Sequence, residues 1–265
     1  LKKEAKTFAW LSRTTPRQPG KSFLVRFSKK HCFLPNPKAH KKTPHTQACA
    51  KRWRKGAIEV DKIAAAPART RVLTRTELPA DTVQLARFLI GKMLVRQLDD
   101  GVAGGRIVET EAYTIGDAAA HAYRGITPRN RALFLEHGHA YVYIAYGVSF
   151  MLNVASETAG VGAGVLIRAI EPTEGIAIMA RNRGTDRLRD LARGPGRLCA
   201  ALDIDRRLDG IDLCQAGPLW LGSDEGVCGE IALSTRIGIT RAADSLLRFF
   251  VRGNRFVSGT ARLNR

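Results

Sequence analysis

The chain has 265 residues, 45% of them hydrophobic and 25% charged, and its 43 Lys+Arg against 24 Asp+Glu give a formal net charge of +19. That length and composition suit one large or two small globular domains with a sizeable core. No apolar run approaches the roughly 18 residues of a membrane span, and no charged start leads into a secretory apolar core, so a soluble intracellular protein is expected.

The charge is unevenly placed. Residues 1–70 carry 18 basic and 3 acidic residues, leaving 25 against 21 for residues 71–265, and the second part holds one lysine, Lys92, beside 24 arginines. The first segment starts at Leu1 and scatters Pro and Lys through LPNPKAHKKTPHT without a period of 2 or 3.6, so a disordered basic extension is expected there. A non-native extension from a mis-assigned start is the favoured reading. A basic arm that raises DNA affinity by counterion release is the alternative, and a transit peptide fits less well for want of helical amphipathicity. Cys32, Cys49, Cys199, Cys214 and Cys228 show no CxxC pairing, which indicates neither a disulfide framework nor a zinc knuckle and leaves free thiols.

From residue 71 onward the elements can be taken in order. In DTVQLARFLIG, Asp81 can cap a helix whose apolar positions include Val83, Ala86, Leu89 and Ile90, with Gly91 ending it; this helix is expected to open the fold. KMLVRQL, a turn at Asp100-Gly101 and RIVETEAY predict a β-hairpin. The period of two on its second strand sends Ile107, Glu109, Glu111 and Tyr113 to one face, which on this pattern alone reads as a solvated face before it reads as a site.

TIGDAAAHAYRGITPRNRALF is punctuated by Gly116, Gly125 and Pro128, which places His121 on a turn or loop. AYVYIAYGVSFMLNV predicts a buried strand interrupted at Gly147, and GVLIRAIEP a buried strand with Arg168 inside it, where an arginine needs an acidic partner or a polar pocket. TEGIAIMARNRG predicts a helix ended by Gly184, PGRLCAALDI a helix from near Pro195, and EIALSTRIGIT and LLRFFVRG two strands. Elements do not alternate regularly, and neither an internal repeat nor a GxGxxG or GxxxxGK[ST] loop is present, so residues 71–265 are expected to form a single α+β domain.

Taken together, RIVETEAY, His121, TPRNR, YVYIAYG, Asn153, VLIRAIEP, GPGRLCAAL, TRIGI and LRFFVRG closely resemble, in order, the alkyladenine (3-methyladenine) DNA glycosylase family, over essentially all of residues 72–258. The resemblance implies a compact domain with a curved, mainly antiparallel sheet that flips alkylated purines out of duplex DNA and hydrolyses the N-glycosidic bond. It implies Glu111 as general base, Arg168 as a group positioning the attacking water, and Tyr113, His121, Tyr143 and Asn153 as the base-binding residues. By the same resemblance Tyr146 is the wedge into the duplex, and Ile237 offers its backbone carbonyl to the water. Double-stranded DNA with alkylated purines is the implied partner of a monomer that works without cofactor or metal, intracellular and DNA-associated, in the cytoplasm at the nucleoid if the source is bacterial.

The residue chemistry agrees with that implication. Extrusion of a base costs a few kcal/mol that pocket contacts must offset, and aromatic faces contribute roughly 1–3 kcal/mol per stacked base and favour cations. An alkylated purine cation leaves as a neutral base, so one carboxylate suffices where a sugar glycosidase needs two. A single lysine in the body argues against Schiff-base chemistry and for a monofunctional enzyme. Arg129, Arg131 and Arg197 are possible phosphate contacts or merely solvated, Glu109 is an expected arginine partner, and His137 and His139 read as a turn before they read as metal ligands. Two rivals are a damaged-DNA-binding module without catalysis and a carbohydrate hydrolase using Glu109 and Glu111.

Overall fold

A computed structural model describes residues 70–224, 226 and 228–264 of the chain. The expected basic extension lies outside them save for Thr70, as do Cys32 and Cys49; Cys199, Cys214 and Cys228 are free thiols. Among the described residues, no helix is long and apolar enough to cross a membrane.

The fold is α+β. Its first element is a short strand, β1 (Arg71–Val72), rather than the expected helix. Two residues carry no readable alternation, and β1 exists because it finishes an edge, pairing Arg71 with Ser223 and Val72 with Gly222. The predicted helix follows as α1 (Thr82–Leu89), capped where expected by the Asp81 carboxylate, which accepts from the Gln84 N–H at 2.8 Å. Its inward face is Leu85, Ala86 and Leu89, with Val83 only half-buried. Each buried leucine contributes on the order of 2 kcal/mol.

The predicted hairpin is β2 (Met93–Leu98) and β3 (Gly101–Tyr113), paired antiparallel from Met93↔Arg106 to Leu98↔Gly101. The single strand expected over residues 140–154 is instead a hairpin. β4 (Ala140–Ala145) turns through Tyr146, Gly147 and Val148 into β5 (Ser149–Ala155), with Tyr143 opposite Met151 and Tyr141 opposite Asn153. Its tip closes with the Val148 N–H donating to the Ala145 carbonyl at 3.1 Å. Tyr146 and Gly147 both have positive φ, 52° and 71°, the backbone hand that suits right-twisted hairpins.

β6 (Gly164–Glu174) is followed by α2 (Ile176–Arg183), which Gly184 terminates, and by α3 (Pro195–Ala201), which has proline in its first turn where no N–H is needed. The remaining strands are β7 (Leu219–Ser223), β8 (Ile231–Ser234) and β9 (Arg248–Val251). β8 is shorter than the strand expected from EIALSTRIGIT, because at Arg236 the chain turns its side chain inward to Asp117 and to the Ala112 carbonyl.

All pairings are antiparallel, in the order β1-β7-β2-β3-β6-β5-β4, with β9 attached to β3 and β8 to β9. The long strand β3 organises this curved sheet. One of its edges runs along β6, while the other pairs with β2 over residues 101–106 and with β9 over Glu109–Glu111. Register shifts on both sides of Glu109 in the β3–β6 ladder bend the strand there, as β-bulges do. Helix α1 covers β3 and β6, and α3 packs on β5 and β6.

Strands β3 and β6 leave no room for a side chain at Gly105. A Cβ there would lie 2.2 Å from the Glu171 carbonyl oxygen and 2.9 Å from its carbon, both backbone atoms that cannot step aside. Gly105→Ala is expected to destabilise the domain by about 1–3 kcal/mol, read as a lower urea midpoint with an unchanged slope.

Candidate active site

Glu109 and Glu111 are both 0% exposed, so the solvated-face reading of the β3 pattern does not hold. Each carboxylate is enclosed by donors. Glu111 Oε1 accepts from the Ile237 backbone N–H at 2.7 Å, and Oε2 accepts from the Tyr113 hydroxyl at 3.0 Å and is paired with Arg168 Nη1 at 3.1 Å. Glu109 Oε1 accepts from Arg168 Nε at 2.9 Å, Arg248 Nε at 2.7 Å and the Ser258 hydroxyl at 2.9 Å, while Oε2 takes the Ser258 N–H at 2.7 Å. Arg168 thus bridges the two glutamates, supplying the acidic partners that an arginine on a buried strand requires. Burial opposes ionisation of Glu109, but Arg168 and Arg248 hold its carboxyl below the ordinary value. Burial also works against the charge of Arg168, which Glu111 and Glu109 outweigh, raising it.

In front of this cluster is a cavity of about 520 Å³, lined among others by Tyr113, His121, Tyr143, Asn153, Arg168 and Ile237. That volume lies in the range of small-ligand sites. Glu111 sits directly behind Tyr113, Arg168 and Ile237. The Tyr113 hydroxyl is pushed well above its usual pKa by burial and by Glu111, and stays a donor. His121 lies on the expected loop; its ring meets Tyr143 edge-on at 4.4 Å, and its Nδ1 pairs with the Tyr141 hydroxyl at 2.9 Å. Burial and the nearby Arg129 charge lower its pKa, favouring a neutral imidazole at neutral pH.

Asn153 projects from β5, with its amide donating to the Tyr141 carbonyl at 3.2 Å. Tyr146 reaches the cavity rim from the β4–β5 tip, where it is 91% exposed beside Val148 at 81%. Ile237 was expected to act through its carbonyl; the contact the structure shows is its N–H on Glu111. The three candidate phosphate contacts separate. Arg129 lines the cavity with its guanidinium 5.7 Å above the Tyr143 ring, Arg131 is exposed at the start of a 3-10 turn, and Arg197 lines a second cavity and pairs with Asp190 at 3.3 Å. His137 and His139 both hydrogen-bond Glu136, through its side chain and its carbonyl respectively.

Sequence reasoning missed three features. Tyr141 stacks on Tyr143 at 5.4 Å, and its position two residues earlier on the same strand was the available signal. Arg248 is wholly buried, although LLRFFV carries the same lone arginine in an apolar run that marked Arg168. Arg236 sits 4.6 Å over the Tyr113 ring and is bound to Asp117 and the Ala112 carbonyl, a loop-to-loop pairing that no local pattern announces.

The sequence model of the family described as Methylpurine-DNA glycosylase (MPG) matches residues 76–255. A relative from Mesorhizobium japonicum is 69% identical over 187 residues, which cover 71% of this chain and 90% of the relative. One from Paraburkholderia phytofirmans is 51% identical over 191 residues, 72% and 90% of the two chains, and one from Methanoculleus marisnigri 48% over 182 residues, 67% and 94%. All three carry the name "Putative 3-methyladenine DNA glycosylase".

The buried cluster sets an acid limit on stability. With the folded-state Glu109 carboxyl below its ordinary 4.5, its contribution is complete above that pH and is lost as pH falls through the folded-state value. Glu109→Gln is expected to cost about 3–5 kcal/mol at neutral pH, by leaving guanidinium charge uncompensated. It should also flatten the acid dependence of the denaturant midpoint; a variant whose midpoint follows pH as the parent's does would contradict this.

Proposed function

The chain belongs to the methylpurine-DNA glycosylase family, and we propose that it excises alkylated purines from duplex DNA as a monofunctional hydrolase, leaving an abasic site. One observation carries the reading: a buried glutamate, fixed by three donors, lies directly behind an aromatic cavity.

The nucleotide is extruded into this cavity while Tyr146 occupies the gap, since a base within the stack is out of reach at its sugar carbon. Tyr113, Tyr143 and His121 offer faces to the base. A neutral His121 suits a cationic purine, which an imidazolium would repel. The C1′–N bond then breaks with its electron pair passing to the purine, which departs neutral and needs no general acid. A water oxygen bonds to C1′ and gives its proton to Glu111, whose Oε1 carries a single donor, the Ile237 N–H, among the described residues. Arg168, anchored on both glutamates, holds the carboxylate and the water's place beside it.

Two features support hydrolysis over strand cleavage through an amine and over a two-carboxylate sugar hydrolase. Lys92 lies with its ammonium 4.7 Å over the Phe88 ring and does not line the cavity. Glu109 is committed to Arg168, Arg248 and Ser258, which leaves Glu111 the carboxylate next to the cavity.

Glu111→Gln is expected to lower base release from a duplex carrying one alkylated purine by about 10²–10⁴-fold, with EDTA present throughout and binding of the same duplex retained. Equal release by parent and variant, or release only after metal is added, would remove the proposed mechanism. Tight binding without release by the parent would leave a damaged-DNA-binding module.

A further inference from the structure

We infer that Arg248 is a positioning residue for the hydrolysis proposed above, on which this inference rests: it fixes two of the three donors that hold Glu111. All five of its guanidinium N–H groups are used. Nε donates to Glu109 Oε1 at 2.7 Å, Nη1 to the Ser234 hydroxyl at 2.7 Å and the Leu263 carbonyl at 3.0 Å, and Nη2 to the Ser258 carbonyl at 3.1 Å and Asn264 Oδ1 at 2.8 Å. Its flat face rests 4.5 Å over the Phe250 ring.

Two routes lead from it to Glu111. Through Glu109 it sets the place of Arg168, whose Nε shares the same carboxylate oxygen and whose Nη1 faces Glu111. Through Ser234 it pins the end of β8, three residues before the Ile237 N–H that holds Glu111 Oε1. Tyr113, the third donor, is outside its reach.

The charge count gives the same residue a second task. Glu109 and Glu111 on β3 face Arg168 on β6 and Arg248 on β9, so the buried cluster is balanced, with two charges of each sign. The other ionisable groups around it are Tyr113 and Tyr143, with Arg236 and Asp117 forming a separate pair beyond Tyr113. Without Arg248, Glu109 retains one cationic partner and competes with Glu111 for it. Arg168 is then drawn toward Glu109, and the carboxylate that must receive the water's proton loses part of its hold.

A charge-balanced set of variants tests this: Arg248→Met, Arg248→Lys and Arg248→Met with Glu109→Gln, each assayed well below its thermal transition. Single-turnover base release at saturating protein should fall on the order of a hundredfold in Arg248→Met, the scale of a misplaced reacting group, while affinity for the damaged duplex is unchanged. Arg248→Lys, which keeps the charge, and the double variant, which restores the balance, should each recover roughly tenfold of that loss, in line with a charge-pair effect of about 1.4 kcal/mol. Unchanged release in Arg248→Met, or a loss in release matched by an equal loss in affinity, would overturn the inference. Should Arg248→Met fail to fold, Arg248→Lys carries the same comparison. Failure of the parent to release base would instead count against the proposed function. The positioning claim is then read from hydrogen exchange at the Arg168 Nε–H and the Ile237 amide, where equal protection in the parent and in Arg248→Lys would overturn it.

Discussion

Two carboxylates and two guanidinium groups with almost no access to water constrain everything around them. Glu109, Glu111 and Arg248 are wholly buried and Arg168 is 7% exposed, so each charge has to find its partners within the protein or the domain does not fold. Meeting that demand takes three strands and a returning tail. β3 provides the anions, β6 and β9 the cations, and Ser258, Leu263 and Asn264 join Tyr113, Ser234 and Ile237 as further donors and acceptors. The divided edge of β3, shared between β2 and β9, is the topological expression of the same requirement, because only a strand flanked on both sides at Glu109–Glu111 can be served from both.

Seen from the cavity, the molecule separates into a wall built on strands and a wall built on connections. Glu111 and Arg168 are held by sheet ladders, whereas His121 and Ile237 come from connections that are tied across to each other by Arg236, through Asp117 and the Ala112 carbonyl. Charge follows the same division. The cations behind the wall are matched by anions, while Arg129 stands at the mouth over Tyr143 with its Nη2 donating, among the described residues, to the Ile144 carbonyl at 3.3 Å.

Much of this was legible in the sequence, because the relevant signals are local. Asp81 announced its helix through side-chain chemistry that operates within three residues, and the alternation in RIVETEAY placed Glu111 and Tyr113 on one side, where the hydroxyl now bonds the carboxylate. An arginine in an apolar run at Arg168 demanded an acid, and it has two. What escaped depends on distance along the chain. In the sequence the β4–β5 turn reads as an interruption within one strand, since apolar residues flank Tyr146-Gly147 so evenly that only pairing reveals a reversal. Neither β7 nor the tail at Ser258 carries a signal of its own; each is defined by the strand or carboxylate it meets.

The left-handed backbone at Tyr146 has a consequence of its own. A tyrosine with φ of 52° at an exposed tip occupies a region that side chains other than glycine and asparagine enter at a cost of order 1 kcal/mol. The β4–β5 ladder bears that cost in the isolated protein. The backbone of the tip is therefore already shaped, like a tooth on a comb, and only the exposed ring is left to be ordered by whatever it meets. Under the proposed function, a tip preset in this way would press on the duplex at each position in turn and stay only where the stack gives way.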